Sequence, residues 1–166
     1  MADAALDILK EAILLERRGC AFYQKVAAQA QNEAVREFFE TMVAEEQYHM
    51  DILGEQLKSY RSNQRFVPLD AGDSQSTPLP DLVLSAEVKK QIASADFEAA
   101  AISAAMLMEE RAVKLYGERA AATGDADEKA LYQWLTDWEK GHLVFLADLD
   151  KELKAAIWDD NQFWPF

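Results

Sequence analysis

Hydrophobic side chains recur at steps of three and four residues along four stretches of the chain, which is the pattern of helices that bury one face. The first stretch runs from about residue 3 to 31. The second begins at Asn32, a suitable N-cap, and continues to about Ser59. These two stretches predict a first antiparallel pair of helices.

The third and fourth stretches predict a second pair. The third helix begins at residues 94–96 and ends at Gly124, because glycine readily takes the backbone conformation that stops a helix. Asp125 and Glu128 resemble a capping box at the start of the fourth helix, which continues to about Ala156. The positions predicted to face the core are Leu9, Ile13, Cys20, Tyr23, Ala27, Val35, Phe39, Met42, Ile52 or Leu53, Leu57, Ile102, Met106, Val113, Tyr116, Ala120, Leu131, Leu135, Leu146 and Leu149.

Residues 61–93 separate the two helix pairs and contain three of the four prolines, Gly72 and several serines, with Ser85 as a candidate cap of a short helix through Ile92. At about 3.3 Å per residue, this segment is long enough to run the length of a helix pair of about 42 Å. We therefore expect an all-α four-helix bundle over 1–156, with a long crossover connection. The aromatic tail, 157–166, is expected to pack on the bundle or on a partner.

The two halves of the chain are related by a shift of 93 positions without a gap. Such a repeat predicts two similar helix hairpins packed about a pseudo-two-fold axis. The matched pairs are Ala12 and Ala105, Leu14 and Leu107, Glu16 and Glu109, Arg18 and Arg111, Tyr23 and Tyr116, Ala27 and Ala120, Ala28 and Ala121, Glu46 and Glu139, and His49 and His142.

The repeat contains one Glu-x-x-His pair in each half, Glu46 with His49 and Glu139 with His142. Residues three apart on a helix share a face, so each pair presents a carboxylate and an imidazole to the same point. An isolated inward Glu or His is more often a hydrogen-bonded core residue than a metal ligand. Four Glu and two His that repeat in register on four helices, as they do once the two further glutamates below are included, favour metal binding over that simpler interpretation.

Two further glutamates fall at the same level. Glu16 and Glu46 lie equally far from the turn near residue 31, and Glu109 and Glu139 stand in the same way around Gly124, about 22 Å from each turn. The spacing predicts a centre in which Glu16 and Glu109 each hold one metal ion, Glu46 and Glu139 bridge, and one histidine completes each side. The six predicted ligands are Glu16, Glu46, His49, Glu109, Glu139 and His142.

Three other residues are predicted to support these ligands. Tyr23 and Tyr116 lie two turns beyond Glu16 and Glu109, where each is either a core aromatic or a hydrogen-bond donor to a ligating carboxylate. Glu45 is a candidate for orienting His142 through its other ring nitrogen, and a solvated or interface position is the alternative. Carboxylate and imidazole ligands suit iron, manganese or zinc, so the predicted cofactor is a pair of such ions, with iron preferred by analogy with other bundles.

Composition limits the partners. The chain has only six Gly and four Pro, and half of its 166 residues are hydrophobic. This composition fits a helical protein with a hydrophobic core. The net charge of -13 disfavours nucleic acid and acidic membranes as partners. The absence of a leader-like start, of a membrane-length apolar run and of any thiol besides Cys20 leads us to expect a cytoplasmic protein without disulfides.

The ligand pattern resembles the ferritin-like di-iron carboxylate superfamily, with one Glu on each of two helices and Glu-x-x-His on each of the other two. Within it, the runs AILLERRGCAFY at 12–23 and EEQYH at 45–49 resemble the rubrerythrin branch most, over about residues 3–155. The resemblance implies a di-ferrous centre that reacts with hydrogen peroxide or dioxygen, giving a di-ferric centre and water. It also implies a separate electron donor, such as a rubredoxin or a reductase.

The sequence departs from rubrerythrins at two points. They typically append a rubredoxin domain with four Cys, and they carry an additional Glu one turn beyond the third-helix ligand, where this chain has Ala112. Peroxidase and ferroxidase activity therefore both stay open, and an iron-storage or metal-stabilised interaction protein without turnover is the alternative. The resemblance also leads us to expect a homodimer, in which the long connection lets hairpins exchange between chains.

Overall fold

Four long helices make up the computed structural model, which describes residues 4–31, 33–69 and 96–159. The predicted all-α class is confirmed. Helix α1 packs along α2 and α3 along α4, as the two predicted hairpins require, and α1 also contacts α3. The helices are α1 (Ala4–Gln29), α2 (Glu33–Asn63), α3 (Asp96–Ala122) and α4 (Ala126–Asp159).

Helix α2 ends four residues later than the sequence pattern predicts. It continues to Asn63, and Gln64 then takes a positive φ of 56° while its N–H donates to the Tyr60 carbonyl over 2.8 Å. Gln56 holds the following segment against α2, because its side-chain amide both donates to and accepts from the backbone of Val67 over 2.9 Å. The polar residues assigned to the start of the connection therefore form the last turn of the helix.

The predicted capping box at the start of α4 is only half formed. Asp125 Oδ1 accepts the backbone N–H of Glu128 over 2.9 Å, as an N-cap should. The Glu128 carboxylate does not return the bond to Asp125; it accepts two hydrogen bonds from Arg119 on α3, each of 2.7 Å, and one from Thr123. Glu128 thus ties the end of α3 to the start of α4.

The buried apolar side chains form two clusters on either side of a polar layer. One cluster contains Phe38, Phe39 and Leu146, and the other contains Leu9 and Leu131. Of the predicted core positions, four are half-buried and the others are buried. The half-buried positions are Ile13, Leu57, Met106 and Val113.

Several predictions concern parts of the chain outside the described residues. They are the Asn32 N-cap, the short helix from Ser85 to Ile92, most of the connection, and the tail beyond 159. Among the described helices, none is both long enough and apolar enough to cross a membrane.

Candidate metal centre

All six side chains predicted as metal ligands meet in the polar layer between the two apolar clusters. Each is at most 3 % exposed. Their ligand-type atoms form two groups, and within each group the atoms lie within 4.8 Å of one another. One group is Glu16, Glu46, His49 and Glu139, and the other is Glu46, Glu109, Glu139 and His142. Since Glu46 and Glu139 belong to both groups, these are two adjacent positions of one centre.

Glu139 occupies the middle of this centre and faces both histidines. Its Oε1 lies 3.0 Å from His49 Nδ1, and its Oε2 lies 3.0 Å from His142 Nδ1. On one side Glu16 Oε2 is 3.2 Å from His49 Nδ1, and on the other Glu109 Oε1 is 3.6 Å from His142 Nδ1. Glu139 is therefore shared between two positions, each completed by one further carboxylate and one Nδ1 atom.

Glu46 is the second shared carboxylate. Its Oε2 is 3.7 Å from His49 Nδ1 and its Oε1 is 3.8 Å from His142 Nδ1. Burial raises the pKa of Glu46 well above its ordinary value, and the charges of Glu16 and Glu139 raise it further. A bound divalent cation would remove the reason for this rise by offsetting the crowded negative charge.

The pKa values of the other groups in the centre are shifted in different directions. Burial and the charge of Glu139 raise the pKa of Glu109 to about 8. Burial also acts to raise the pKa of Glu139, but His49 and His142 outweigh it and hold that pKa well below its ordinary value. Burial acts to lower the pKa of both histidines, yet Glu139 and the neighbouring carboxylates raise it well above the ordinary value. Without a cation, the centre lowers its net charge by holding protons.

Hydrogen bonds alone do not satisfy the centre. Both carboxylate oxygens of Glu139 and the Nδ1 atom of His142 are buried and make no well-aligned hydrogen bond among the described residues, although Glu139 pairs with both histidines at 3.0 Å. Buried polar atoms are normally well hydrogen-bonded, so carboxylate and imidazole atoms that converge on one point without such bonds suit a cation. The residues therefore fit a pair of divalent cations, whose four positive charges would balance four carboxylates.

A family model described as Rubrerythrin matches residues 7–150, a span that includes all six of these side chains. The chain belongs to the rubrerythrin family. Comparison with curated proteins and comparison with solved structures gave no match. The family match covers both helix pairs, and with it the buried Glu and His groups identify a candidate di-metal carboxylate site in this rubrerythrin-family chain.

Two tyrosines connect the halves of this rubrerythrin-family centre crosswise. Tyr23 on α1 donates its hydroxyl hydrogen to Glu109 Oε1 on α3, and Tyr116 on α3 donates to Glu16 Oε1 on α1. Each tyrosine therefore bonds to the predicted ligand on the other hairpin. Burial and the nearby carboxylates raise the pKa of both hydroxyls well above the ordinary value, so both remain donors at neutral pH.

Glu45 lies behind His142, as the sequence led us to expect. Its Oε2 contacts His142 Nε2 and accepts the indole hydrogen of Trp138 over 3.1 Å. The part played by Trp138 was not predicted, although the repeat contained the signal, since Trp138 is the counterpart of Glu45 in the second half. The indole and the carboxylate thus lie on the same side of one histidine.

A small cavity opens onto the carboxylates between α1 and α3. It has a volume of about 10 Å³ and is lined in part by Leu15 and Gly19 from α1 and by Met108 and Ala112 from α3. This is room for about one water molecule. Sequence reasoning singled out Ala112 but not Gly19, although the repeat pairs the two, each three residues after a predicted ligand.

Proposed function

We propose that the chain is a non-haem di-iron oxidoreductase that reduces hydrogen peroxide or dioxygen. The observation that carries this proposal is the pair of shared carboxylates, Glu46 and Glu139, between two otherwise separate sets of Glu and His ligands. Shared carboxylates hold two metal ions side by side, and two adjacent ions can deliver two electrons to one small molecule.

In the proposed centre, Glu16 with His49 and Glu109 with His142 hold one ion each. A pair of ferrous ions would supply one electron each, so that hydrogen peroxide and two protons give two molecules of water. The protein keeps hydrogen-bond donors beside this chemistry, since Tyr23 and Tyr116 remain protonated and restrain Glu109 and Glu16. The surrounding apolar clusters exclude bulk water from the ligands.

The cavity between α1 and α3 supports a small oxidant as the substrate. A volume of about 10 Å³ beside the carboxylates is room for about one water molecule, so any substrate that reaches the ligands there has to be very small. Hydroxylation of an organic substrate requires a larger pocket at the metals, because the substrate carbon has to reach the reacting ions. The geometry therefore favours reduction of the oxidant itself.

One residue favours a second candidate function, binding or storage of iron without peroxide turnover. Typical rubrerythrins are expected to carry a Glu at this position, whereas Ala112, which lines the cavity, offers no ligand atom. The two functions differ in one measurable respect, because a storage protein assembles into a large cage. Light scattering that shows a small oligomer favours the oxidoreductase, and a cage of many copies favours storage.

The proposal includes a separate electron donor, such as a rubredoxin or a reductase. Among the described residues, the Glu and His groups that could hold a metal belong to that one centre, and the thiol of Cys20 is buried away from solvent. Electrons are therefore proposed to come from another protein. We also propose a homodimer, with exchange of hairpins through the connection as one form of it. Leu14 and Leu107, which are counterparts in the repeat, are both exposed, on α1 and α3 respectively.

The experiment that tests the proposed activity is anaerobic loading with ferrous iron, followed by stopped-flow mixing with peroxide. The proposal predicts consumption of one peroxide for each pair of ferrous ions, together with the optical change of ferric iron formation. If neither peroxide nor ferrous iron is consumed within minutes, the proposal is refuted. His49→Ala and His142→Ala variants serve as controls, because each removes one ligand from one side of the centre.

A further inference from the structure

The two histidines of the centre differ on the side that faces away from the shared carboxylates. Behind His142, the Nε2 atom meets Glu45 Oε2, and Trp138 Nε1 lies 3.1 Å from that oxygen and 3.2 Å from His142 Nε2. Glu45 is 4 % exposed and Trp138 is 3 % exposed. Water therefore competes little for these groups, and His142 is anchored by a buried carboxylate.

His49 has an aromatic environment on the corresponding side. Its Nε2 atom has no hydrogen-bond partner among the residues that the structure describes. Its ring lies nearly perpendicular to the rings of Trp134 and Trp138, at centroid distances of 5.6 and 5.2 Å. The repeat explains the difference, because the position of Glu45 in the first half is taken by Trp138 in the second.

We propose that Glu45 is a positioning residue for His142 and makes the Glu109 and His142 side the tighter of the two divalent-cation positions. A carboxylate that accepts the Nε2 hydrogen fixes the tautomer, so that the Nδ1 lone pair faces the cation. It also holds the ring in place and makes Nδ1 a stronger donor. His49 has no such acceptor and binds its cation without this support.

The expected size of the effect follows from metal sites in general. Removing the hydrogen-bond partner of a ligating histidine typically weakens metal binding by about 10- to 100-fold. We therefore expect the two cations to bind in two steps, with affinities that differ by about tenfold or more. This assignment rests on the proposed metal centre, but it does not depend on any redox activity.

The test is calorimetric titration of the metal-free protein with zinc, repeated with cobalt, whose visible absorption reports its ligand environment. Glu109→Ala should remove the tighter step, and Glu16→Ala should keep it. Glu45→Gln, which retains the shape but not the charge, should weaken the tighter step by about tenfold or more. It should leave the weaker step within about threefold. Glu55→Gln, at an exposed position on the same helix, should change neither step.

Glu45→Leu provides a second variant, since it removes the acceptor altogether and should weaken the tighter step further than Glu45→Gln. Circular dichroism of each metal-free variant checks that the helices persist. Equal affinities in the unmodified chain, equal weakening of both steps by Glu45→Gln, or loss of the tighter step in Glu16→Ala would each overturn the inference. Ordered binding of two cations without peroxide consumption would leave the inference standing and refute the proposed function instead.

Discussion

Tyr23 on α1 donates its hydroxyl hydrogen to Glu109 on α3, across the interface between the two halves of the repeat. Because Tyr116 makes the same bond to Glu16 in the opposite direction, each hairpin restrains a carboxylate of the other. The two hairpins are therefore joined at the level of the proposed metals by buried hydrogen bonds.

Replacing Tyr23 by Phe should destabilise the metal-free protein. The substitution leaves the Glu109 carboxyl without its donor in a buried site, at a cost of about 1 to 2 kcal/mol in the free energy of unfolding. Tyr132→Phe is a matched control, because the Tyr132 hydroxyl is buried and has no hydrogen-bond partner among the described residues. Urea denaturation should show no loss for the control; equal losses for both variants would refute the role of the Tyr23 bond.

Replacing each shared carboxylate by an uncharged amide should affect the stability of the metal-free protein differently at pH 8. Glu46→Gln removes a carboxyl whose charge burial disfavours, so the metal-free protein should be equally stable or more stable. Glu139→Gln removes the carboxylate that both histidines stabilise, and should cost about 3 kcal/mol. Thermal unfolding in a chelator measures both, and a destabilised Glu46→Gln protein would contradict the charge distribution described above.

Stability of the metal-free protein should fall as pH rises. From the ordinary carboxyl value of 4.5 to about 8, folded Glu109 holds a proton that the unfolded chain has lost. The raised pKa values of His49 and His142 act in the same sense above 6.5. Each such proton lowers the free energy of unfolding by about 1.4 kcal/mol for every unit by which the pH rises. The lowered pKa of Glu139 adds stability above 4.5 that is lost in acid.

Bound cations should flatten that pH dependence, since they take the place of the protons. The prediction can be checked by urea denaturation at a series of pH values, with and without zinc. A second measurement is proton release on metal binding, from calorimetry in buffers of different ionisation enthalpy. Stability that is independent of pH between about 5 and 8 in the chelated protein would contradict the prediction.

Ala112→Leu should slow the reaction of the iron-loaded protein with peroxide by at least about tenfold. A leucine side chain would fill the cavity of about 10 Å³ through which, under the proposed function, a small oxidant would approach the carboxylates. Ala121→Leu, at an exposed position on the same helix, should have no effect. Both variants should still bind two cations, which shows that the centre is intact. An unchanged rate in Ala112→Leu would place the approach of the oxidant elsewhere.

The sequence predicted the location of the six clustered side chains because the repeat has no gap. Glu16 and Glu109 are not in any short motif; only their register with Glu46 and Glu139 indicated them. Helical spacing specifies faces and levels, and these six residues share one face of each helix and one level. The burial of all six in one layer follows from that geometry.

What spacing could not predict are contacts between different helices. The bond from Tyr23 to Glu109 depends on how α1 and α3 pass each other, which periodicity within one helix does not determine. Likewise, the Glu128 carboxylate accepts hydrogen bonds from Arg119 on α3, whereas the expected capping box required it to bond to the backbone of Asp125. The last turn of α2 was missed because local polarity indicated a loop, whereas Gln56 and Val67 hold this region through tertiary hydrogen bonds.

The measurement that tests the central claim most directly is anaerobic titration with ferrous iron, followed by elemental analysis and electron paramagnetic resonance after oxidation. Two iron ions held by the shared carboxylates Glu46 and Glu139 would be coupled magnetically. We therefore predict two iron ions per chain and an oxidised form without the resonance of isolated ferric ions. One iron per chain, or two with the resonance of isolated ions, would contradict the shared centre.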